Sequence, residues 1–473
     1  MELLFLIAIV WVVYNVSKKN KTSQDQSNIQ VSKPKLNEKQ LDISDITLSD
    51  EQNKIFEILE DTSDNVFITG KAGTGKSVLL QYFKQNSHKK LVVCAPTGVA
   101  ALNVGGQTIH SLFKIPPSFI RKDSLKLDYK TINLLKNIDT VVIDEISMVR
   151  ADLMDAIDFC LRQARNNNLA FGGVQIVMFG DLYQLPPVVS DPELHKYFAD
   201  NHGGFYFFNA DVWKTTELKI FELNYIFRQK DEDFKEVLNS IRVGNVEETV
   251  LLKINQRSGV EIPENNVVTL ATTNKIVNEI NSIKLERLPG GIKEYKAIIT
   301  GYLEETAFPT EEFLKLKVGA QVMFLKNDKD KRWVNGTIGN VYSLLDKEII
   351  VDVDGIKYSV PQETWSKIRY YYNQENKSVE EEVVSSFTQF PLRLAWAITI
   401  HKSQGKTYGS VIVDMGDGAF AHGQTYVALS RCKSLEGLYL KKDIRREDIM
   451  VDNSVISFMS NAKIISSEDT DKN

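Results

Sequence analysis

Val66-Phe-Ile-Thr-Gly-Lys-Ala-Gly-Thr-Gly-Lys-Ser-Val-Leu-Leu80 decides how this chain is read. Within it, Gly70 to Ser77 spell G-x-x-x-x-G-K-S, behind an apolar strand and ahead of a helix-compatible run. Glycines let the backbone curl so that successive N–H groups point inward at phosphate oxygens, and the following helix N-terminus adds partial positive charge. Lys76 is placed to reach the β/γ-phosphates and Ser77 to offer a hydroxyl to Mg²⁺. Gly70, Ala72, Gly73, Thr74, Gly75, Lys76 and Ser77 are therefore the candidate phosphate contacts of a nucleoside triphosphate. A Gly-rich turn that binds nothing is the competing reading, and the correct flanks on both sides weigh against it.

Outward from this loop, strands Val66–Thr69, Leu91–Ala95, Val141–Asp144 and Gln175–Phe179 alternate with helical segments, the pattern of βαβ units and a parallel sheet. Residues 114–136, with Pro116-Pro117 and several Lys and Arg, break the alternation as a small insertion. A second alternating region starts near Val267–Thr273 and resumes at Leu394–Thr399 and Ser410–Asp414. Between them, about 318–388, short β-rich pieces separated by Asp/Gly turns suggest an inserted antiparallel barrel. The fold class expected is α/β with two parallel-sheet domains, 47–220 and 221–473, each carrying one small insertion.

Several polar constellations sit where such a fold puts chemistry. Asp139-Thr-Val-Val-Ile-Asp-Glu-Ile-Ser147 is a buried strand ending in two acids; Asp144 suits Mg²⁺, and Glu145 suits orienting or deprotonating the attacking water. In Phe179-Gly-Asp-Leu-Tyr-Gln-Leu-Pro-Pro-Val188, Gln184 is a candidate γ-phosphate sensor. Arg228 and Arg431 lie in polar turns far downstream; phosphoryl transfer needs such cations, but position alone would not select them from ordinary surface arginines. Pro96–Ala100, Gln107–Phe113 and Thr399–Gly405 mix small hydroxyls, backbone N–H groups and an occasional base, which suits phosphate contact without base reading. Each is equally well a helix cap or a turn when taken singly. His110 and His401 lack any second-ligand spacing that would make them metal ligands.

Composition sets the frame. Of 473 residues, 43% are hydrophobic and 25% charged, the profile of a soluble globular protein. The net charge of −5 gives no global basic field, which argues against a simple DNA-coating protein while leaving room for a basic channel. Cys94, Cys160 and Cys432 form no C-x-x-C pair, so buried free thiols in a reducing compartment are expected rather than a zinc or disulfide framework. Leu3–Tyr14 is an unbroken apolar run followed by Lys18, Lys19 and Lys21. At roughly 20 Å of helix it is short of a ~30 Å hydrocarbon core, and its positive charge follows rather than precedes the apolar run. A short membrane anchor over 1–16, with everything after Val16 on the cytoplasmic side, is favoured over a cleaved signal, and an artefact of start-codon choice stays open as a third reading. Residues 17–46 read as a disordered tether.

GKAGTGKS, VVIDEISM, GDLYQLPPV, FRQ, LATTN, AITIHKSQGKT and YVALSRC occur in the order found in superfamily 1 helicases of the RecD-like B group. More narrowly, Asp155 to Gln175, Gln52 in Leu48-Ser-Asp-Glu-Gln, and VNGTIG at 334–339 resemble the Pif-type (petite integration frequency) helicases. The resemblance covers roughly Thr47 to Lys441; the apolar leader is no part of the family pattern. It implies two RecA-like P-loop NTPase domains with ATP between them, single-stranded DNA crossing both, and 5′→3′ unwinding in replication, recombination, repair or telomere-type maintenance. It further implies Gln52 on adenine, Gly75, Lys76 and Ser77 on phosphates and Mg²⁺, Asp144 completing the metal site, and Glu145 as base. Gln184 would sense the γ-phosphate, Arg228 and Arg431 would be arginine fingers, and Thr97, His110, His401, Lys402 and Ser403 would face DNA. The 114–136 insertion matches the family's wedge subdomain and 318–388 its SH3-like one. The working unit expected is a monomer acting on single-stranded and forked DNA without sequence preference. Two rivals stay open: a DNA-stimulated translocase that separates few base pairs, and a membrane-tethered DNA-binding ATP switch.

Overall fold

The computed structural model describes residues 47–465, apart from 117–118, 121–124, 190, 230 and 264–266. The expected anchor and tether lie outside the described residues. Among those described, no helix is long and apolar enough to cross a membrane.

The phosphate-loop strand, Val66–Gly70, is buried at every position, as an apolar run must be in a parallel sheet covered on both faces. It lies inside a seven-stranded sheet. The order is Ile464–Ile465, Lys219–Leu223, Val66–Gly70, Gln175–Phe179, Thr140–Ile143, Leu91–Ala95 and Gln107–Thr108, every pairing parallel. A second parallel sheet runs Ala397–Thr399, Val268–Ala271, Val411–Asp414, Leu438–Leu440. Both carry helices, and the two-domain α/β class expected from the sequence is the one observed. Cys94, Cys160 and Cys432 are buried free thiols.

Three boundaries differ from expectation. Lys219–Leu223 pairs with Val66–Gly70 along its whole length, so the first sheet runs past residue 220. The chain then returns to this domain at its end: Val455 and Met459, on helix Asn453–Asn461, share a core with Ile220, Phe458 stacks on Phe208 at 4.2 Å, and Ile464–Ile465 adds the edge strand. Residues 221–473 are thus not one domain, because the closing edge of the first sheet is supplied from the far end of the chain. Helix Tyr129–Asn137, expected within the wedge insertion, packs Leu134 and Leu135 into the first core.

The β insertion also departs from the single barrel expected, its strands falling into separate antiparallel sheets. Five antiparallel strands (Gln321–Phe324, Ile338–Leu344, Glu348–Val353, Ile356–Pro361, Leu392–Leu394) surround a core containing Phe324, Trp333 and Val351. The expected strand Leu394–Thr399 is consequently split, its start pairing here and Ala397–Thr399 in the second parallel sheet. Beside this five-stranded sheet, strands Glu363–Asn373 and Ser378–Gln389 form a long hairpin that reaches the first domain. Gln107 Nε2 donates to Ile368 O at 2.9 Å, and Ile368 and Tyr370 are buried in the first core. Buried apolar area of that kind is what holds two parts of a chain together.

Candidate functional site

Helix Lys76–Asn86 starts directly after Gly75, whose φ of +85° gives the loop its curl. Lys76 Nζ donates to the loop's own carbonyls, Gly70 O at 2.6 Å and Lys71 O at 3.0 Å. Burial pushes its pKa down to about 8, with Asp181 and Glu145 pulling up and Arg242 and Arg228 pushing down. Gln52, buried on the capped helix Asp50–Asp61, points Nε2 at Gly75 O, 3.4 Å away. This places the expected adenine contact against the loop's end.

The two acids follow Thr140–Ile143 as anticipated. Burial, then the neighbouring Glu145, raises the Asp144 carboxyl to about 7; burial likewise raises Glu145, opposed by Lys76 and Arg431. Glu145 has φ 52°, ψ 46°, a left-handed conformation that costs a non-Gly residue roughly 1–2 kcal/mol. Strain of this kind persists where the surroundings hold a side chain in one place. A desolvated carboxyl whose charge is disfavoured fits a divalent cation, so Asp144 with the Ser77 hydroxyl is a suitable donor set for Mg²⁺.

Residues far downstream close over the loop. The backbone N–H of Phe227 donates to Gly73 O at 2.9 Å, and a Cβ added to Gly73 would lie 2.4 Å from the Cβ of Arg228. Only glycine permits that approach. Arg228 donates to Ser430 O at 3.0 Å, and Gln229 Nε2 to Ser430 O and Cys432 O. Arg431 is fully buried, donating to Val427 O and Ser430 Oγ, and its charge is felt at Glu145. Burial and then Arg431 depress Arg228 to about 9. Two desolvated guanidiniums and a desolvated lysine around one loop are stabilised by an anion. The structure thus brings Gln52, Lys76, Glu145, Arg228 and Arg431 into one cleft. Gln184 is buried beside it but bonds Asp181, with Nε2 3.3 Å from Oδ2.

Sequence reasoning missed several members of this cleft. Tyr426, on the buried helix Gln424–Leu429, accepts from the backbone N–H of Ala72 at 3.0 Å through its hydroxyl. Asp181 pairs with Arg242 at 3.1 Å, both nearly devoid of solvent, and the Tyr183 ring centre lies 4.3 Å from the guanidinium carbon. Gly423, φ +70°, touches the Tyr183–Gln184 backbone so closely that a Cβ would lie 2.4 Å from Tyr183 O and 2.5 Å from Gln184 O. Tyr426 and Asp181 stood inside the quoted motifs; Arg242, on helix Glu232–Val243, carried no signal at all.

The expected DNA contacts fare unequally. Thr97 caps helix Gly98–Asn103 through Ala100 N–H at 3.2 Å. His110 is half-buried; burial and then Arg150 lower its pKa. His401 and Lys402 form a one-turn helix with Ser403, and burial lowers the pKa of both. Ser403 is a correction: it has no exposed surface and its hydroxyl donates to Ile400 O at 2.6 Å, because it tethers the turn rather than facing outward. A basic cluster not anticipated lies beside it. Burial, then Arg393 and Lys402, push the Lys406 ammonium down to about 7.

Known proteins resemble this chain over most of its length. The family described as PIF1-like helicase matches residues 47–251, and the one described as DNA helicase Pif1, 2B domain, matches 303–344. Bacteroides sp Pif1 in complex with ADP-AlF4 superposes with TM-score 0.83 at 40% identity, covering 88% of this chain and 97% of that one. Bacteroides Pif1 bound to ssDNA gives 0.63 at 41% identity, with 88% and 97% covered. The ATP-dependent DNA helicase Pif1 of Bdellovibrio bacteriovorus is 32% identical over 88% of this chain and 92% of its own length. The ATP-dependent DNA helicase PIF1 of Candida albicans is also 32% identical, but the match covers 89% of this chain and 57% of that protein. The chain thus spans well under two thirds of the fungal relative.

Proposed function

The chain belongs to the PIF1-like helicase family, whose matched relatives are ATP-dependent DNA helicases, and from that premise we propose that it moves 5′→3′ along single-stranded DNA and unwinds the duplex ahead. The observation that carries the reading is the closure of the phosphate loop by the second domain. Tyr426 on Ala72, Phe227 on Gly73 and the charge of Arg431 felt at Glu145 couple anything bound in the loop to the position of that domain. ATP recruits the two arginines, and loss of the γ-phosphate removes the charge that holds them. Mg²⁺, held by Ser77 and Asp144, would neutralise phosphate charge. Glu145 orients or deprotonates the attacking water.

DNA binding is supported by the basic cluster in which Arg393 and Lys402 lie close enough to Lys406 to lower its pKa, and by the relative crystallised on ssDNA. Contacts to backbone phosphate make binding salt-sensitive and indifferent to sequence. The apolar run and following lysines support attachment of the N-terminus to a membrane; flotation of the full chain with liposomes, lost on deleting 1–16, tests that.

ATP-dependent strand displacement on two matched duplexes, one with a 5′ and one with a 3′ tail, tests the central reading. Lys76→Ala serves as control. Opening only the 5′-tailed duplex is expected. Opening only the 3′-tailed one refutes the direction, and opening neither while DNA still stimulates ATP turnover replaces the helicase reading with a translocase.

A further inference from the structure

Away from the ATP cleft, three side chains from separate elements converge: Asp155 of helix Ala151–Arg165, His202 at the end of helix Pro192–His202, and Asp211 of the turn Asp211–Lys214. One ligand atom from each lies within 4.8 Å of the other two. The imidazole of His202 is 6% exposed and the Asp155 side chain 2%. His202 Nδ1 lies 3.8 Å from Asp155 Oδ2 and has no hydrogen-bond partner among the described residues.

Two ordinary explanations are weak. A hydrogen bond between the pair is excluded by the 3.8 Å separation, well beyond the ~3.2 Å limit for N–H···O. Leaving an imidazole nitrogen buried and unpaired costs about 1–3 kcal/mol. Asp155 accepts the backbone N–H groups of Asp211 and Val212 at 3.1 and 3.0 Å, which fixes its carboxylate toward the turn. Asp211 Oδ1 accepts from Lys214 Nζ at 2.7 Å. Carboxylate oxygens carry about four acceptor positions, so these bonds are compatible with a further ligand.

We propose that Asp155, His202 and Asp211 form a binding site for a borderline divalent cation of the Zn²⁺ class. One imidazole nitrogen with two carboxylates matches such a metal better than Ca²⁺ or Mg²⁺, which prefer all-oxygen sites. Metal–ligand bonds of ~2.1 Å ask the three groups to contract slightly about the ion, which a histidine at a helix end and an aspartate on a turn can do. The bound ion clips the end of helix Pro192–His202 to helix Ala151–Arg165. Tyr197, on the clipped helix, makes an edge contact with Phe119 at 4.8 Å, so the clip braces the surface on which the inserted segment rests.

The test is calorimetric titration of the full-length, chelator-treated chain with Zn²⁺ in excess Mg²⁺, beside His202→Gln and Asp211→Asn. Asp211→Asn is the safer variant for folding, because its side chain is 47% exposed. One equivalent of Zn²⁺ is expected, with affinity reduced at least ~10-fold in each variant. Co²⁺ substituted for Zn²⁺ should give visible d–d absorption that both variants lose. The proposal is overturned if no stoichiometric site exists, or if the site persists unchanged in both variants.

Discussion

Gly423→Ala should uncouple ATP turnover from nucleotide binding. The added Cβ would sit 2.4 Å from Tyr183 O and 2.5 Å from Gln184 O, about 1 Å inside ordinary contact, and both obstacles are backbone. The left-handed conformation costs alanine roughly 1–2 kcal/mol, but that strain is local. It is present whether or not the second domain is docked, so it lowers stability without shifting closure. Relief of the clash has to come from moving helix Gln424–Leu429 away from the loop. A shift of about 1 Å takes the Tyr426 hydroxyl from 3.0 Å to beyond bonding range of Ala72 N, losing about 1 kcal/mol. Residual overlap contributes about 1–2 kcal/mol more. Closure is then disfavoured by about 2–3 kcal/mol, a fall of ~30- to 150-fold in DNA-stimulated kcat. Gln52, Lys76 and Ser77 keep their places, and the loop loses only the Tyr426 bond at Ala72, so equilibrium binding of a fluorescent ATP analogue should change little. Tyr426→Phe removes only the hydroxyl bond and should cost ~5-fold. A Gly423→Ala enzyme with kcat within about threefold of wild type would refute the coupling argument.

Removing Arg242 leaves Asp181 buried without its cation, so Arg242→Met should destabilise by about 3–5 kcal/mol in urea unfolding, with Asp181→Asn recovering part of the loss. A loss below about 1 kcal/mol would mean that the pair is not desolvated. Lys76 is held below its usual range, at about 8, so between there and 10.5 the unfolded chain binds a proton that the nucleotide-free folded chain does not. Its contribution therefore rises with pH across that window, by up to about 3 kcal/mol, and the wild type minus Lys76→Met difference in unfolding free energy should rise likewise. A difference independent of pH removes the argument. Lys406→Met should weaken single-stranded DNA binding and reduce the slope of log K against log salt by about 0.7, measured by anisotropy across salt concentrations. An unchanged slope places Lys406 away from the DNA backbone.

What the residue order determined by itself is local. The phosphate loop, the two acids after Thr140–Ile143, and the strands flanking them are each specified by fewer than about a dozen neighbouring residues, because curl, helix start and buried-strand patterning are short-range properties. The motifs carrying Gln184, Arg228 and Arg431 were legible as polar turns; the neighbouring motifs made Gln184 a candidate sensor, but only the family resemblance singled out the two arginines. Tertiary structure alone decided which of them meet. Ile464–Ile465 closing the first sheet, Ile368 and Tyr370 of the long hairpin joining the first core, and Arg242 neutralising Asp181 all join residues far apart in the chain. No periodicity encodes such pairings, since they are selected by shape and charge complementarity after the elements exist. Ser403 is the converse case. Its hydroxyl suited a phosphate contact by composition, but burial turned it to Ile400, and burial is a property of the packed whole rather than of any segment.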